Sequence, residues 1–163
     1  MPGPTQAEAY AVLAAREQGL WHVGSLPDAV TADLDAIVAA VRQQPGENGA
    51  FALVDVADEF FVVVRVQQGR VRLLLSDVTA SAEWDLATQV VDQLGVDIPR
   101  DDALDEVVPA GDLSIFDDLG LDARELGALL SDVDAYADEM LSALARRLGF
   151  ASAYERVVDA LVQ

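Results

Sequence analysis

Residues 51–75 read FALVDVADEFFVVVRVQQGRVRLLL, and this stretch decides the fold class. It contains three apolar segments, at 50–56, 60–67 and 70–75, which are separated by short polar stretches. Such a pattern predicts three successive antiparallel strands. The middle segment is apolar at nearly every position, so we expect this strand to be covered on both faces of the sheet.

The last two segments predict a hairpin, because Gln68-Gly69 suits a two-residue turn between paired strands. Segment 70–75 alternates, with apolar residues at 71, 73 and 75 and with Arg70 and Arg72 between them. This alternation predicts an edge strand whose arginines face outward and oppose open pairing with another sheet.

On the N-terminal side of this stretch, residues 9–16 and 20–23 are interpreted as two further strands around the turn signal Glu17-Gln18-Gly19. An amphipathic helix follows, because apolar residues recur with helical spacing from 34 to 41. Thr31 is its predicted cap, and Pro45-Gly46 ends it.

On the C-terminal side, a helix is predicted over about 80–94, with Trp84 on its apolar stripe, and short helices are predicted near 122–130, 137–148 and 151–162. Asp122 and Glu125 have the spacing of a capping box. The sequence therefore predicts an α+β fold. We expect a mainly antiparallel sheet of about five strands in the order ββαβββα, with a C-terminal cluster of short helices.

The domain organisation follows from a change of composition after residue 96. We expect an α+β sheet domain over 1–96, an acidic linker or loop over 97–111, and a helical C-terminal region over 112–163. Four short helices bury little apolar surface by themselves. They either pack on the sheet or form a marginal module that a partner completes.

Charge is the most informative global property. The chain has 29 acidic residues against 10 basic ones, all of them arginine, for a net charge of −19. Residues 97–163 hold 16 of the acids and 5 of the arginines, a net −11. Such a field repels phosphate backbones and anionic lipid and attracts basic proteins. We therefore expect no direct nucleic-acid partner and no membrane partner.

Composition and motifs also exclude most enzyme classes. The absence of cysteine rules out thiolate metal sites and cysteine nucleophiles, and His22, the one histidine, is expected to be a half-buried packing residue. No phosphate-binding glycine loop and no G-x-S-x-G elbow is present. A calcium loop starting at Asp132 would need glycine where Ala137 stands and glutamate where Ala143 stands. We predict no catalytic, metal or cofactor residue, no cofactor, and no enzymatic activity.

No apolar run is long enough to span a bilayer, and the start of the chain lacks the basic residues of a secretory signal. Cytoplasmic localisation is the expectation.

Four blocks of the sequence carry a family resemblance through their order and spacing. They read FALVDVADEFFVVVRV at 51–66, LLSDVTASAEWDLATQVVDQL at 74–94, VPAGDLSIFDDLGL at 108–121 and YADEMLSALARRLGF at 136–150. Together they resemble the tRNA adenosine deaminase-associated protein family of high-GC bacteria. The resemblance implies association with the deaminase that makes inosine at the tRNA wobble position, and it brings no catalytic motif. It therefore implies a partner and not a reaction.

The expected partner is thus a basic tRNA-modifying deaminase, whose tRNA-binding surface an acidic protein can occupy, protecting or inhibiting the enzyme. Apolar residues near 113–119 would supply short-range contacts and the neighbouring acids would supply orientation. The predicted partner-binding residues are Asp101, Asp102, Asp105, Glu106, Asp112, Phe116, Asp117 and Asp118.

Two other interpretations stay open at this level. One is a small-ligand-binding or housekeeping α+β domain with no direct role in tRNA modification, which a deep pocket between sheet and helices would favour. The other is a hydrolase using carboxylates and a divalent ion, which three or more converging acids would favour. The sequence does not determine the oligomeric state.

Overall fold

The computed structural model describes residues 9–31, 33–44, 46, 49–95, 109–132 and 135–162. Within them, one six-stranded antiparallel sheet has the spatial order β2-β1-β3-β4-β5-β6. The strands are β1 (Ala9–Glu17), β2 (Leu20–Ser25), β3 (Phe51–Val56), β4 (Phe60–Gln67), β5 (Arg70–Leu75) and β6 (Ala110–Gly111). The helices are α1 (Leu34–Gln43), α2 (Asp85–Leu94), α3 (Ala123–Leu130), α4 (Ala137–Leu148) and α5 (Ala151–Val162). The predicted α+β class is confirmed, with one strand more than expected.

Two tight hairpins connect β1 to β2 and β4 to β5. Gln68 and Gly69 have φ values of 51° and 80°, and Gln18 and Gly19 have φ values of 53° and 76°. Two successive residues with positive φ define the hairpin turn whose twist matches that of the flanking strands. The predicted turn at Gln68-Gly69 is confirmed.

Strand β4 is covered on both faces, as its continuous apolar sequence predicted. Phe60, Val62 and Val64 belong to one hydrophobic core, which α1 and α2 cover. Phe61 and Val63 point to the opposite face and belong to a second core, which the C-terminal helices cover. Successive side chains of a strand point to opposite faces, so one continuous apolar strand supplies both cores.

The C-terminal helices pack on the sheet. Leu126 of α3, Leu144 of α4 and Tyr154 of α5 lie in one buried cluster with Phe51 of β3. Gly149 ends α4 in the left-handed conformation, with φ 106°, as the sequence pattern predicted. The short helices therefore gain their stability from the sheet's second face, which settles the choice between docking and a separate marginal module.

Strand β5 is not the edge of the sheet, so that prediction was wrong. The short strand β6 pairs with Leu74 and Leu75 of β5. Gly111 makes the pairing possible: its φ is +111°, and a Cβ atom there would lie 2.3 Å from the carbonyl oxygen of Leu73. A two-residue strand has no periodicity, so the sequence pattern could not indicate β6.

The caps of two helices differ from the predictions. Asp33, and not Thr31, caps α1, because Thr31 is buried just after a 3₁₀ turn (Asp28–Val30). Helix α2 begins only at Asp85, because the carboxylate of Asp77 starts a separate 3₁₀ turn (Val78–Ala82) by accepting the Thr79 N–H.

Two side-chain predictions were also wrong. Glu125 does not close a capping box: Asp122 caps α3 as predicted, but the Glu125 carboxylate pairs with Arg147. His22 is exposed and not half-buried, because it lies on the face of β2 opposite to the one that α5 packs against. In the described part of the chain, no helix has the length and apolarity needed to cross a bilayer.

Candidate interaction surface

The predicted partner-binding residues separate into two groups. Asp101, Asp102, Asp105 and Glu106 lie outside the described residues. Asp112, Phe116, Asp117 and Asp118 lie in the segment that leads from β6 through a 3₁₀ turn (Asp117–Leu119) towards α3. The structure therefore describes the surroundings of the second group.

Asp112 is held in an ion pair with Arg72 of β5. The Arg72 Nε donates to Asp112 Oδ2 at 2.7 Å, and the same guanidinium donates to the carbonyl oxygen of Ser114 and to Gln67 Oε1. Burial alone would raise the pKa of Asp112, but the bonds and charge of Arg72 and the Ser114 N–H outweigh it and hold the pKa below its usual value. Its charge is therefore partly neutralised within the protein.

Asp118 pairs with Arg65, a fully buried arginine in the middle of β4. Its Oδ1 accepts from Arg65 Nη1 at 2.7 Å and its Oδ2 accepts from Arg65 Nη2 at 2.9 Å. The Nη1 group also donates to the carbonyl oxygen of Ile115 at 2.6 Å. A buried guanidinium is costly unless it is paired and hydrogen-bonded, so Asp118 stabilises the fold by pairing with Arg65.

Phe116 is part of the core, so its side chain does not lie at the surface where the expected partner contact would form. Its side chain is 0% exposed and packs edge-on against Phe51 with ring centroids 4.9 Å apart. Ile115 is also fully buried. Arg65 draws this turn down onto the sheet and lies 6.0 Å from the Phe116 ring. Of this group, Asp117 and Asp118 are exposed at the surface, and Asp118 is paired with Arg65.

A second group of acids, which the sequence did not single out, lines a cleft of about 440 Å³. We call it the acidic cleft, and its defining residues are Asp58, Glu59, Asp77, Glu83, Trp84 and Tyr136. They come from the β3–β4 turn, the two ends of the 3₁₀ turn before α2, and the start of α4. No basic side chain is among the described residues that line the cleft.

The walls of the acidic cleft are held by specific bonds. Trp84 Nε1 donates to Glu59 Oε2 at 2.8 Å, and the indole packs on Phe60 with centroids 6.1 Å apart. Asp58 Oδ1 accepts the Asp138 N–H at 2.8 Å and so caps α4 from a turn 80 residues away. Tyr136 is 65% exposed at the rim. Carboxylates and neighbouring aromatic rings both attract cations, so the cleft favours a cationic side chain.

Behind this cleft lies a buried polar network centred on Asp55 of β3. Asp55 accepts hydrogen bonds from the Tyr10 hydroxyl at 3.0 Å and from the Asp58 N–H at 2.9 Å. Burial raises the pKa of Asp55 to about 6, against the lowering effect of these two donors, and the charges of Asp58 and Asp138 raise it further. Burial, together with Asp58 and Glu139, raises the pKa of Asp138 as well.

The Asp55 network also includes two tyrosines that join β1 to α5. The hydroxyls of Tyr10 and Tyr154 lie 3.4 Å apart, and burial raises the pKa of both. Both phenols therefore stay protonated at neutral pH, and Tyr10 donates its proton to Asp55.

No group of three or more His, Asp or Glu side chains in the described part of the chain could hold a metal ion. The calcium loop considered at Asp132 includes Asp134, which is not among the residues described. A further cleft of about 770 Å³, beside Arg70 and the Arg72–Asp112 pair, is open to solvent and polar.

Comparison with known proteins identifies the family. The model of the Rv3753c-like tRNA adenosine deaminase-associated protein family matches residues 9–151. The chain belongs to this family. It is 37% identical over 161 residues to Protein Rv3753c of Mycobacterium tuberculosis, an alignment that covers 98% of this chain and 93% of that protein. No solved structure matches the chain.

Membership of the Rv3753c-like family confirms the resemblance that the four sequence blocks carry. The matched residues 9–151 include every strand of the sheet and the acidic cleft. The cleft residues were missed because they are spread from 58 to 136 along the sequence. The sequence did contain one signal, because Trp84 stands between the acids Glu83 and Asp85. Acids on both sides indicate a tryptophan near the surface, with its ring N–H available to a hydrogen-bond acceptor.

Proposed function

We propose that this protein is a non-catalytic acidic adaptor or regulator that binds a tRNA adenosine deaminase through that enzyme's basic surface. The acidic cleft carries the proposal: four carboxylates and two aromatic side chains surround a space large enough for the cationic side chains of a partner. The family name, which reads tRNA adenosine deaminase-associated protein, supports the identity of the partner.

Charge supports the mode of binding. A net charge of −19 accelerates association with a basic partner and repels tRNA itself. An enzyme that binds tRNA needs a basic surface for the phosphates. An acidic protein on that surface competes with tRNA, so the complex and the competition are both expected to weaken as salt is added.

The first test is co-purification of the protein with the deaminase encoded in the same genome, at low and at raised salt. A complex that forms at low salt and dissociates at high salt is the expected result. Absence of a complex at any salt would overturn the adaptor and favour the small-ligand-binding alternative. The competition is tested separately: if saturating protein leaves the affinity of the deaminase for tRNA unchanged at low salt, the protein does not occupy the tRNA surface.

The second test locates the interface. The double variant Glu59→Gln with Glu83→Gln removes two charges from the acidic cleft while glutamine keeps an acceptor for Trp84. We expect it to weaken deaminase binding about tenfold or more at low salt. The matched control removes the exposed acids Asp35 and Asp92 of α1 and α2 as Asn variants, and about threefold or less is expected. Equal losses in both proteins would show that net charge, and not the cleft, governs binding.

A further inference from the structure

The two edges of the sheet differ in length and in what they leave unpaired. Among the described strands, β2 pairs only with β1, while the opposite edge is the two-residue β6. Leu20 of β2 pairs with Glu17 across the tight turn, and the Leu26 N–H donates to the Ala11 carbonyl. Because backbone groups alternate along a strand, the N–H and C=O groups of Trp21, Val23 and Ser25 point away from β1.

Strand β2 lacks the features that protect an edge from pairing. Its sequence, LWHVGS, contains no acid, no lysine or arginine and no proline. Leu20 is 65% exposed and His22 is also exposed. An exposed, uncharged edge strand is a template for another strand.

Helix α5 carries a second apolar stripe beside this edge. Tyr154 anchors the helix in the core, and it is 2% exposed. The stripe at Ala153, Val157, Ala160 and Leu161 follows the i, i+4, i+7, i+8 spacing and, with β2, lines a groove of about 650 Å³. Among the described residues, the outer edge of β2 and a partly exposed helix stripe therefore lie side by side.

The same patch carries little of the protein's charge. Strand β2 has no charged residue, and α5 has Glu155, Arg156 and Asp159, so the two elements together hold −1 of the chain's net −19. A second copy that approaches from any strongly acidic side would be repelled. Approach through β2 and α5 keeps that repulsion low, and Arg156, which lines the groove, can face an acidic residue of the opposing helix.

We infer that the occupant of this patch is a second copy of the same chain, in a two-fold dimer that joins β2 to β2 antiparallel and packs α5 against α5. A two-fold axis perpendicular to the sheet places both helices on one face, so the strand edge and the helix stripe are satisfied by one self-complementary contact. The acidic cleft shares no lining residue with this patch. Each copy in the dimer thus keeps its cleft open, and the inference does not rest on the proposed function.

Sedimentation equilibrium of the full chain tests the dimer. The expected mass is about 35 kDa, twice the chain's 17.3 kDa, with the dimer strengthening from about 50 mM to about 500 mM salt as the repulsion between two acidic copies is screened. Binding to a basic deaminase has the opposite salt dependence, so the two proposals fail separately. A monomer at about 200 μM protein and high salt would overturn the dimer.

Two variants locate the contact. Ala160→Glu places a charge in the exposed stripe and is expected to weaken dimerisation about tenfold or more, because the contact would take that charge out of water. Ser25→Pro removes an outward N–H without breaking a bond to β1 and should weaken it as well. Ala128→Glu, the same change at an exposed position of α3, is the control and should leave the dimer intact.

Circular dichroism must show that the variants fold. A dimer that resists both Ala160→Glu and Ser25→Pro would place the contact elsewhere and refute the inference. A monomer whose β2 amides gain hydrogen-exchange protection only when deaminase is added would refute it too, because the edge would then receive a strand of the partner.

Discussion

Asp55 makes the stability of this protein depend on pH in a direction opposite to that of an ordinary ion-paired aspartate. Asp55 is 2% exposed, and burial raises the pKa of its carboxyl from 3.8 to about 6. Because the folded state holds this proton more tightly than the unfolded chain does, the unfolding free energy is highest below the unfolded pKa. It falls as the pH rises from about 4 through about 6 and then levels off.

The size of the effect follows from the pKa difference. The difference between 3.8 and about 6 corresponds to about 3 kcal/mol of unfolding free energy over the whole range, and a little under half of it falls between pH 5 and pH 8. Asp55→Asn removes the titration and keeps an oxygen that accepts the Asp58 N–H. As the pH rises from 5 to 8, the unfolding free energy of the variant should therefore gain about 1 kcal/mol relative to that of the wild type.

Urea unfolding at a series of pH values between 5 and 8 measures this difference. This range avoids the isoelectric point of about 4.1, near which the protein would associate. Asp92→Asn is the matched control, since Asp92 is exposed on α2 and the change removes the same charge. Parallel pH dependence of the Asp55 and Asp92 variants would refute the reasoning, because overall charge repulsion would then account for the whole effect.

The remaining predictions concern the two long-range anchors of the fold. Asp118→Asn leaves the buried Arg65 without its counter-charge and should lower the unfolding free energy by about 3 kcal/mol, measured by urea unfolding. Adding Arg65→Met should restore much of that loss, and no restoration would contradict the ion-pair explanation. Gly111→Ala would bring a Cβ atom against the Leu73 carbonyl and should abolish hydrogen-exchange protection of β6, whereas Gly127→Ala in α3, where a Cβ atom would make an ordinary contact with the Leu113 side chain at 3.9 Å, should not. Equal effects of the two glycine substitutions would argue against the close approach at β6.

Local pattern accounts for most of the fold. The stretch 51–75 predicted β3, β4 and β5 with the hairpin between the last two, because alternation and apolar continuity report how a strand is buried. The bounds of α4 and α5 followed from their periodicity and from Gly149 between them. The family resemblance also followed from sequence, since it depends only on the order of blocks along the chain.

The candidate site depended on pairings that local pattern does not encode. Phe116 looked like a surface contact because its neighbours are acids, yet Arg65, more than fifty residues earlier, draws it into the core through Asp118. Likewise, the β3–β4 turn caps α4 through Asp58, which creates one wall of the acidic cleft.

The amino-acid sequence by itself determined which segments are strands and helices, that both faces of β4 are buried, and that the exterior is strongly acidic. Only the tertiary structure decided which acids are neutralised by arginines, which ones line the acidic cleft, and that β2 is the outermost of the described strands on its side of the sheet. The physical reason is that periodicity records whether a residue is covered, whereas the identity of the covering group is set by contacts between segments that lie far apart in the chain.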